Sequence, residues 1–277
     1  MERIASLRGR VTEAAKQQVL ISARAEIIDF PINYNIIGKE NIGTGRELLS
    51  EGKILVAALD HRVYADLVTG ACIAIKEDFD DLVQVGHIVM RISYLQNFPT
   101  NLLPNYFEVL PVVPHTMPDY PKRDEINGQA ISTAQNLDDG SLLIVTPEGT
   151  RSGQAGMQEA RYGAERFWHG RGERWLIPIA IEGTEKQWPK KLGMIAGGAY
   201  YILAGRLWNA KFIFGEPVEV EEIDSIAGKL AKNEDDFARL KTEVPMGLIA
   251  RLHLEKGNPR YAGRYADLAR QLQEIRP

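Results

Sequence analysis

The sequence predicts an α/β protein: a central mixed, mostly parallel sheet flanked by helices, with helical segments at both ends. Three observations carry this expectation. Apolar runs of five to seven residues (KILVAAL at 53–59, FEVLPVV at 107–113, SLLIVT at 141–146, WLIPIAI at 175–181) lack the alternation of a half-exposed strand, as strands buried on both faces do. Segments of helical character separate these runs, the alternation that builds a largely parallel sheet. Finally, apolar residues make up 44% and charged residues 25% of 277, enough to bury a sizeable core and too apolar for a disordered or low-complexity chain.

The first element expected is a helix, because Ile4, Leu7, Val11, Ala15 and Val19 recur at three- and four-residue spacing with charges between them. Residues 31–45 hold three asparagines and three glycines and read as a loop, with Gly38, Gly43 and Gly45 as turn residues. They match neither a dinucleotide fingerprint nor a phosphate loop. The strand KILVAAL ends at Asp60-His61, and VYADLVTGACIAIK after it reads as helix. FEVLPVV is the next strand. A helix is expected around 127–137, then strand SLLIVT, a helix near 158–168 and strand WLIPIAI. AKFIFGEPVEV at 210–220 reads as the last strand. Phe237, Leu240, Val244, Leu248 and Leu252 keep a helical period, which Pro245 is expected to kink or restart. Tyr261, Tyr265, Leu268 and Leu272 form a final core-facing stripe. Residues 1–50 are thus expected as an N-terminal helical segment, 51–225 as the α/β core and 226–277 as helices packed on it, in one domain overall.

Charge and composition exclude several functions. The net charge of −4 offers no basic field for nucleic acid. Seven acidic residues against Lys229 and Lys232 fall between 219 and 236, and six basic against three acidic between 251 and 277. Such small excesses suit solvated helix faces, with weak attraction to anionic headgroups as the alternative. Cys72 is the only cysteine, so no disulfide framework exists; it sits in an apolar helical stretch that suits packing better than catalysis. The histidines at 61, 87, 115, 169 and 253 lack metal-ligand spacing, and no metal is expected. The longest uncharged apolar window, 192–205, has 14 residues and four glycines, short of the roughly 20 that span a bilayer. The start of the chain lacks the apolar run of a signal peptide. The expected location is the cytoplasm.

In open α/β sheets, ligands gather at the carboxyl ends of strands. KILVAAL runs directly into Asp60-His61-Arg62-Val63-Tyr64-Ala65-Asp66, and SLLIVT into Pro147-Glu148-Gly149-Thr150-Arg151-Ser152. On a regular helix His61 and Asp66 would stand about 140° apart and could not touch. They meet only if His61 lies in the turn before a helix and Asp66 in its first turn. There Asp66 would accept from one imidazole nitrogen and leave the other to take a proton. The alternative is a surface histidine near a helix N-terminus whose dipole Asp66 complements. In the second segment Gly149 lets backbone approach a ligand, Thr150, Arg151 and Ser152 offer donors in a row, and Arg151 suits bidentate phosphate recognition. The alternative there is a plain strand-to-helix turn with a cap.

Together, His61 and Asp66 as an HxxxxD pair, Pro147–Ser152 as a PEGTRS block and Ile177-Pro178-Ile179-Ala180-Ile181 as an apolar proline-containing strand, in that order, resemble the glycerolipid acyltransferase superfamily. That superfamily holds the glycerol-3-phosphate and 1-acylglycerol-3-phosphate acyltransferases, and the likeness covers about residues 50–220. It implies the corresponding α/β fold and transfer of a fatty acyl group from a thioester, acyl-CoA or acyl-carrier protein, to a glycerolipid hydroxyl. No bound cofactor is implied. The likeness makes His61 and Asp66 the catalytic pair. Glu148, Gly149, Thr150, Arg151 and Ser152 become the acceptor and phosphate site. Two departures stand out. Asp60 replaces an asparagine common before the histidine. The strand FEVLPVV lacks the arginine expected of the second block, so His115, Lys122 and Arg123 are the candidates for that charge. 1-Acylglycerol-3-phosphate is the expected acceptor; glycerol-3-phosphate, a non-phosphate acceptor and a non-catalytic lipid-binding role are the alternatives. A GxSxG nucleophile elbow is absent from the sequence, and direct attack by the acceptor needs none. A peripheral membrane contact is expected at 188–208, where Lys190, Lys191 and Arg206 mix with Trp188, Tyr200, Tyr201 and Trp208. A core role for 193–203 is the alternative.

Overall fold

The structure is a computed structural model that describes residues 33–63, 66, 77, 82, 85–93, 108–114, 116–149, 151–152, 156–161, 163–187 and 207–276. The helix expected over 4–19, most of the one expected over 63–76 with Cys72 in it, and nearly all of the 188–208 window lie outside these residues.

Strand β1 (Asn33–Ile37) leads into helix α1 (Lys39–Ser50), followed by β2 (Ile54–Leu59), β3 (Gly86–Arg91) and β4 (Glu108–Val112). Helix α2 (Arg123–Gln135), β5 (Leu142–Val145), the single-turn α3 (Glu165–Trp168), β6 (Arg174–Glu182) and the single-turn α4 (Thr184–Gln187) come next. The chain continues through β7 (Asn209–Phe214), β8 (Val218–Glu219), α5 (Val220–Leu230), α6 (Glu234–Glu255), α7 (Pro259–Ala262), a 3₁₀ turn at Gly263–Tyr265 and α8 (Ala266–Ile275). The eight strands form one sheet in the order β1-β7-β6-β2-β5-β3-β4, with β8 beside β6. Strands β6, β2, β5, β3 and β4 are parallel, whereas β7 and β8 run antiparallel to β6. The α/β class and the mixed, mostly parallel sheet are therefore as the sequence predicts.

Strand β2 shows why continuous apolar runs made the central strands. All six of its residues are buried. Ile54, Val56 and Ala58 point into a core shared with α2, α5, α6 and α8, while Leu55, Ala57 and Leu59 point into a second core with Ile177, Ile179, Ile181 and Phe212. Alternate residues face opposite sides, so both faces must be apolar. Burying each large aliphatic side chain contributes about 1.5–3 kcal/mol.

Several expectations change. Of the loop expected over 31–45, residues 33–37 are a strand and 39–45 the first part of a helix. Strand β1 pairs in parallel with β7, and Gly45 lies within α1 where a Cβ would meet Leu55 Cδ2 at 3.0 Å, so this glycine allows the helix to approach the sheet. Only Gly38 among the three sits in a turn, with φ 75°. Strand β3 was not anticipated. Between 158 and 168 only the last four residues are helical; the amides of Met157 and Ala160 instead donate to the Tyr261 carbonyl and the Tyr265 hydroxyl. AKFIFGEPVEV makes two strands, β7 and β8, both on β6. Pro245 lies inside a helix that runs without a break over 22 residues. The division expected at 225/226 falls inside α5, and the helices beyond it share the core of the sheet. Among the described residues no helix is long and apolar enough to cross a membrane.

Candidate active site

Strands β5, β2 and β6 lie side by side and parallel, with Ala58 opposite both Val145 and Pro178. Their carboxyl ends therefore deliver residues 60–63 and 66, 146–149 with 151–152, and 182–185 to one edge of the sheet. The pleat of β2 also sets sides: Asp60 continues the row of Ile54, Val56 and Ala58, and Glu182 continues the row of Leu176 and Ala180, both facing α6.

The turn after β2 solves the five-residue spacing. Residues 60–63 are not helical and Asp66 is, the placement in which the pair can touch. His61 Nδ1 lies 2.9 Å from Asp66 Oδ2. The same oxygen accepts the amides of Arg62 at 2.6 Å and Val63 at 2.8 Å. Both side chains are buried, Asp66 almost completely. One carboxylate thus shapes the turn and orients the ring. An Nδ1–H bonded to Asp66 assigns the tautomer and leaves Nε2 with the lone pair a base requires.

The turn after β5 is closed by the Gly149 amide donating to the Thr146 carbonyl at 2.9 Å. Gly149 has φ 60°, the left-handed region that favours glycine. Glu148 is fully buried, and neither of its oxygens has a hydrogen-bond partner of good geometry among the described residues. Burial raises its pKa well above the ordinary carboxylate range; Asp60 and Asp66 add to this, while Arg62 and the Gln158 amide pull the other way. A carboxyl raised in this way keeps its proton to higher pH than an ordinary one, and in that form it can donate a hydrogen bond. Ser152 donates its amide to the His61 carbonyl at 2.7 Å, and its hydroxyl donates to the same carbonyl at 3.2 Å while accepting from Arg62 Nη1 at 3.1 Å. That hydroxyl hydrogen is engaged within the protein, fastening the two turns together. Arg151 is half-buried beside them. Thr150 and His115 lie outside the described residues. Lys122 and Arg123 begin α2, where they pair with Glu125 and Asp124.

Behind the pair lies a buried polar cluster that sequence reasoning missed. Arg62 is fully buried: Nη2 pairs with Asp60 Oδ2 at 2.5 Å and donates to the Tyr261 carbonyl at 3.2 Å, and Nε donates to the Ile181 carbonyl at 3.3 Å. Its guanidinium lies 4.7 Å from the centre of the Tyr261 ring. Asp60 also accepts the Ile181 amide at 2.7 Å. His253 of α6 completes the cluster between Asp60 and Glu182. A signal was available. Residues 60 and 62 share a strand face straight after an apolar run, and 253 falls on the buried stripe of Met246, Ile249 and Ala250, where a polar side chain needs partners.

Among the described residues no group of three histidine, cysteine or acidic side chains is arranged to hold a metal ion. No protein-family model matches this chain, and no curated protein is significantly similar to it. Its chemistry is to be read from the geometry of the site.

Proposed function

We propose that the chain is an O-acyltransferase, moving a fatty acyl group from an acyl thioester to the free hydroxyl of 1-acylglycerol-3-phosphate. The observation that supports this most is the His61–Asp66 pair at the end of β2, bonded through Ser152 to the Glu148–Gly149 turn at the end of β5. His61 Nε2 takes the proton of the acceptor hydroxyl as its oxygen attacks the thioester carbonyl carbon, general-base help worth roughly 10²- to 10⁴-fold. The tetrahedral intermediate collapses, the C–S bond breaks, and the imidazolium returns the proton to the departing thiolate. The net change is one ester formed, one thioester consumed and one thiol released. Asp66 keeps the ring oriented and stabilises the imidazolium. Arg151 is the candidate to hold the acceptor phosphate and so position its hydroxyl. Glu148 and Gly149 shape the acceptor pocket.

The donor is acyl-CoA or acyl-carrier protein, and the acyl product is delivered to a membrane surface. Leu207 is 72% exposed and Trp208 39%, with Lys186 Nζ 5.7 Å from the Trp208 ring centre. An exposed apolar pair beside a cation is a mixture suited to headgroup level.

The test is thiol release from acyl-CoA, and separately from an acyl-carrier protein, with glycerol-3-phosphate and 1-acylglycerol-3-phosphate in separate reactions, beside His61→Ala. Release that needs 1-acylglycerol-3-phosphate and His61 is expected. Release with glycerol-3-phosphate alone reassigns the acceptor. Bound lipid without turnover in any reaction makes the protein a binder on this fold.

A further inference from the structure

We propose that His253 is a positioning residue for His61, acting from helix α6 through Asp60 and Arg62, the two residues that flank His61 in the chain. The proposal rests on the reading of His61 as the base, and it deepens that reading.

The geometry is that of a clamp. His253 Nε2 is 3.2 Å from Asp60 Oδ2, and Nδ1 is 3.1 Å from Glu182 Oε1. A carboxylate only accepts, so the imidazolium serves both, with Nδ1–H on Glu182 and Nε2–H on Asp60. Arg62 Nη2 lies 3.1 Å from Nε2, a donor that only a ring without the Nε2 proton can accept from, and both groups also reach Asp60 Oδ2. The ring stacks on Tyr261 at 5.4 Å between centroids.

The balance of charge agrees with the distances. The groups around the ring are Asp60 at the end of β2, Arg62 in the turn, Glu182 at the end of β6 and Tyr261 of α7. Beyond these, Glu182 Oε2 accepts from Asn258 at 2.7 Å and faces Lys211 of β7 at 3.6 Å. Tyr261 donates to Glu185 at 2.6 Å and its oxygen accepts from Arg260 at 3.0 Å. With a neutral His253, Asp60 and Glu182 are balanced inside the protein by Arg62 alone; with the imidazolium, the four fully or nearly fully buried groups cancel. Burial by itself would draw the ring's pKa down, but its bonds to Asp60 and Glu182 outweigh that and raise it. Despite burial, Arg62 first and the His253 bond second hold Asp60 below its ordinary value, and the His253 bond does the same for Glu182.

The consequence for His61 is carried by the backbone. Asp60 is fixed by His253, Arg62 and the Ile181 amide; Arg62 is fixed by Asp60, the Ile181 and Tyr261 carbonyls and the Ser152 hydroxyl. The residue between them has little freedom while these bonds stand. Loss of the Nε2 proton removes the His253 bond to Asp60, leaves that nitrogen to Arg62 and loosens one end of the turn that carries the base. A misplacement of about 1 Å at a reacting group can cost roughly 100-fold in rate.

The test uses the full chain with isotopically labelled histidine, reading ring signals by NMR and turnover in parallel. For His253→Gln, a folded protein with kcat lowered roughly 10- to 100-fold and an unchanged KM for the acyl donor is expected. The Nδ1–H signature of His61 should be lost, and that of the remote His169 kept. Adding Asp60→Asn should restore part of the loss, since glutamine and asparagine can pair without an unmatched charge. A folded His253→Gln with His61 signals and kcat unchanged overturns the proposal, as do losses in the double variant that simply multiply. If His253→Gln does not fold, the wild type decides: at about pH 7 the ring of His253 must carry both protons, and His61 signals must shift as His253 titrates. A neutral His253 there overturns it. If the wild type transfers no acyl group yet His61 still responds to His253, the functional reading fails and the positioning stands.

Discussion

The amide of Ser152 donates to the carbonyl of His61 at 2.7 Å, joining the turns at the ends of two adjacent parallel strands. The turns that carry His61 and Ser152 are therefore one hydrogen-bonded unit. A shift in either turn is transmitted to the other without passing through a side chain.

Asp66→Asn is expected to lower turnover by roughly 10²- to 10⁴-fold. The amide can still accept from the amides of Arg62 and Val63, so the turn survives, but it no longer stabilises an imidazolium at His61. Steady-state kinetics with circular dichroism check this. Loss of activity together with loss of fold would assign Asp66 a mainly structural task.

Glu148→Gln should stabilise the protein at neutral pH and leave it unchanged in acid. The folded pKa of Glu148 lies well above its ordinary 4.5, so the folded state binds more protons than the unfolded one between these values. Stability then falls as pH rises through that window. Glutamine has nearly the shape of the protonated acid and removes the penalty. Thermal melts at about pH 4 and pH 8 check the sign; a Tm gain in acid alone contradicts it.

Gly149→Ala is expected to cost about 1–2 kcal/mol, the penalty of placing a Cβ at positive φ. The added carbon would also meet Arg161 Cγ at 3.0 Å. Urea denaturation measures the loss, and an unchanged midpoint would show that the turn can relax.

His169→Gln should destabilise more in acid than in base. His169 Nε2 lies 3.0 Å from both oxygens of Asp224, and Nδ1 lies 2.8 Å from the Glu165 carbonyl. Burial opposes the raised pKa, but the Asp224 and Glu165 contacts win. Its contribution is whole below the unfolded value of about 6.5 and fades as pH passes the folded one. The pair is about a third exposed, so a change of roughly 1 kcal/mol or less is expected. Melts across this range would show equal losses at both ends if His169 were never charged.

The central sheet was legible in the sequence because strands buried on both faces leave unbroken apolar runs. Strand β3 was not, since His87, Val89 and Arg91 interleave with buried Ile88 and Met90, and so short an alternation is a weak signal. Residues 33–50 hid their strand and helix behind asparagine and glycine, residues that favour turns unless packing decides otherwise. The 156–161 segment is not helical because its amides at Met157 and Ala160 donate to Tyr261 and Tyr265, from the far end of the chain. His61 and Asp66 were readable as a pair because a motif is local. The partners of Asp60 were not, because pairing across three elements leaves no spacing to read.

The span between Arg62 and His253 is 191 residues, and it sets an order on the making of the molecule. A nascent chain emerges from the ribosome with its HxxxxD turn long before α6 exists. Until translation has passed residue 253, Arg62 and Asp60 must remain hydrated or find other partners, because neither can be buried in half a cluster. The motif that could act on a thioester is thus present early but unsupported. Synthesis past residue 253 is therefore a precondition for the full set of bonds around Asp60 and Arg62.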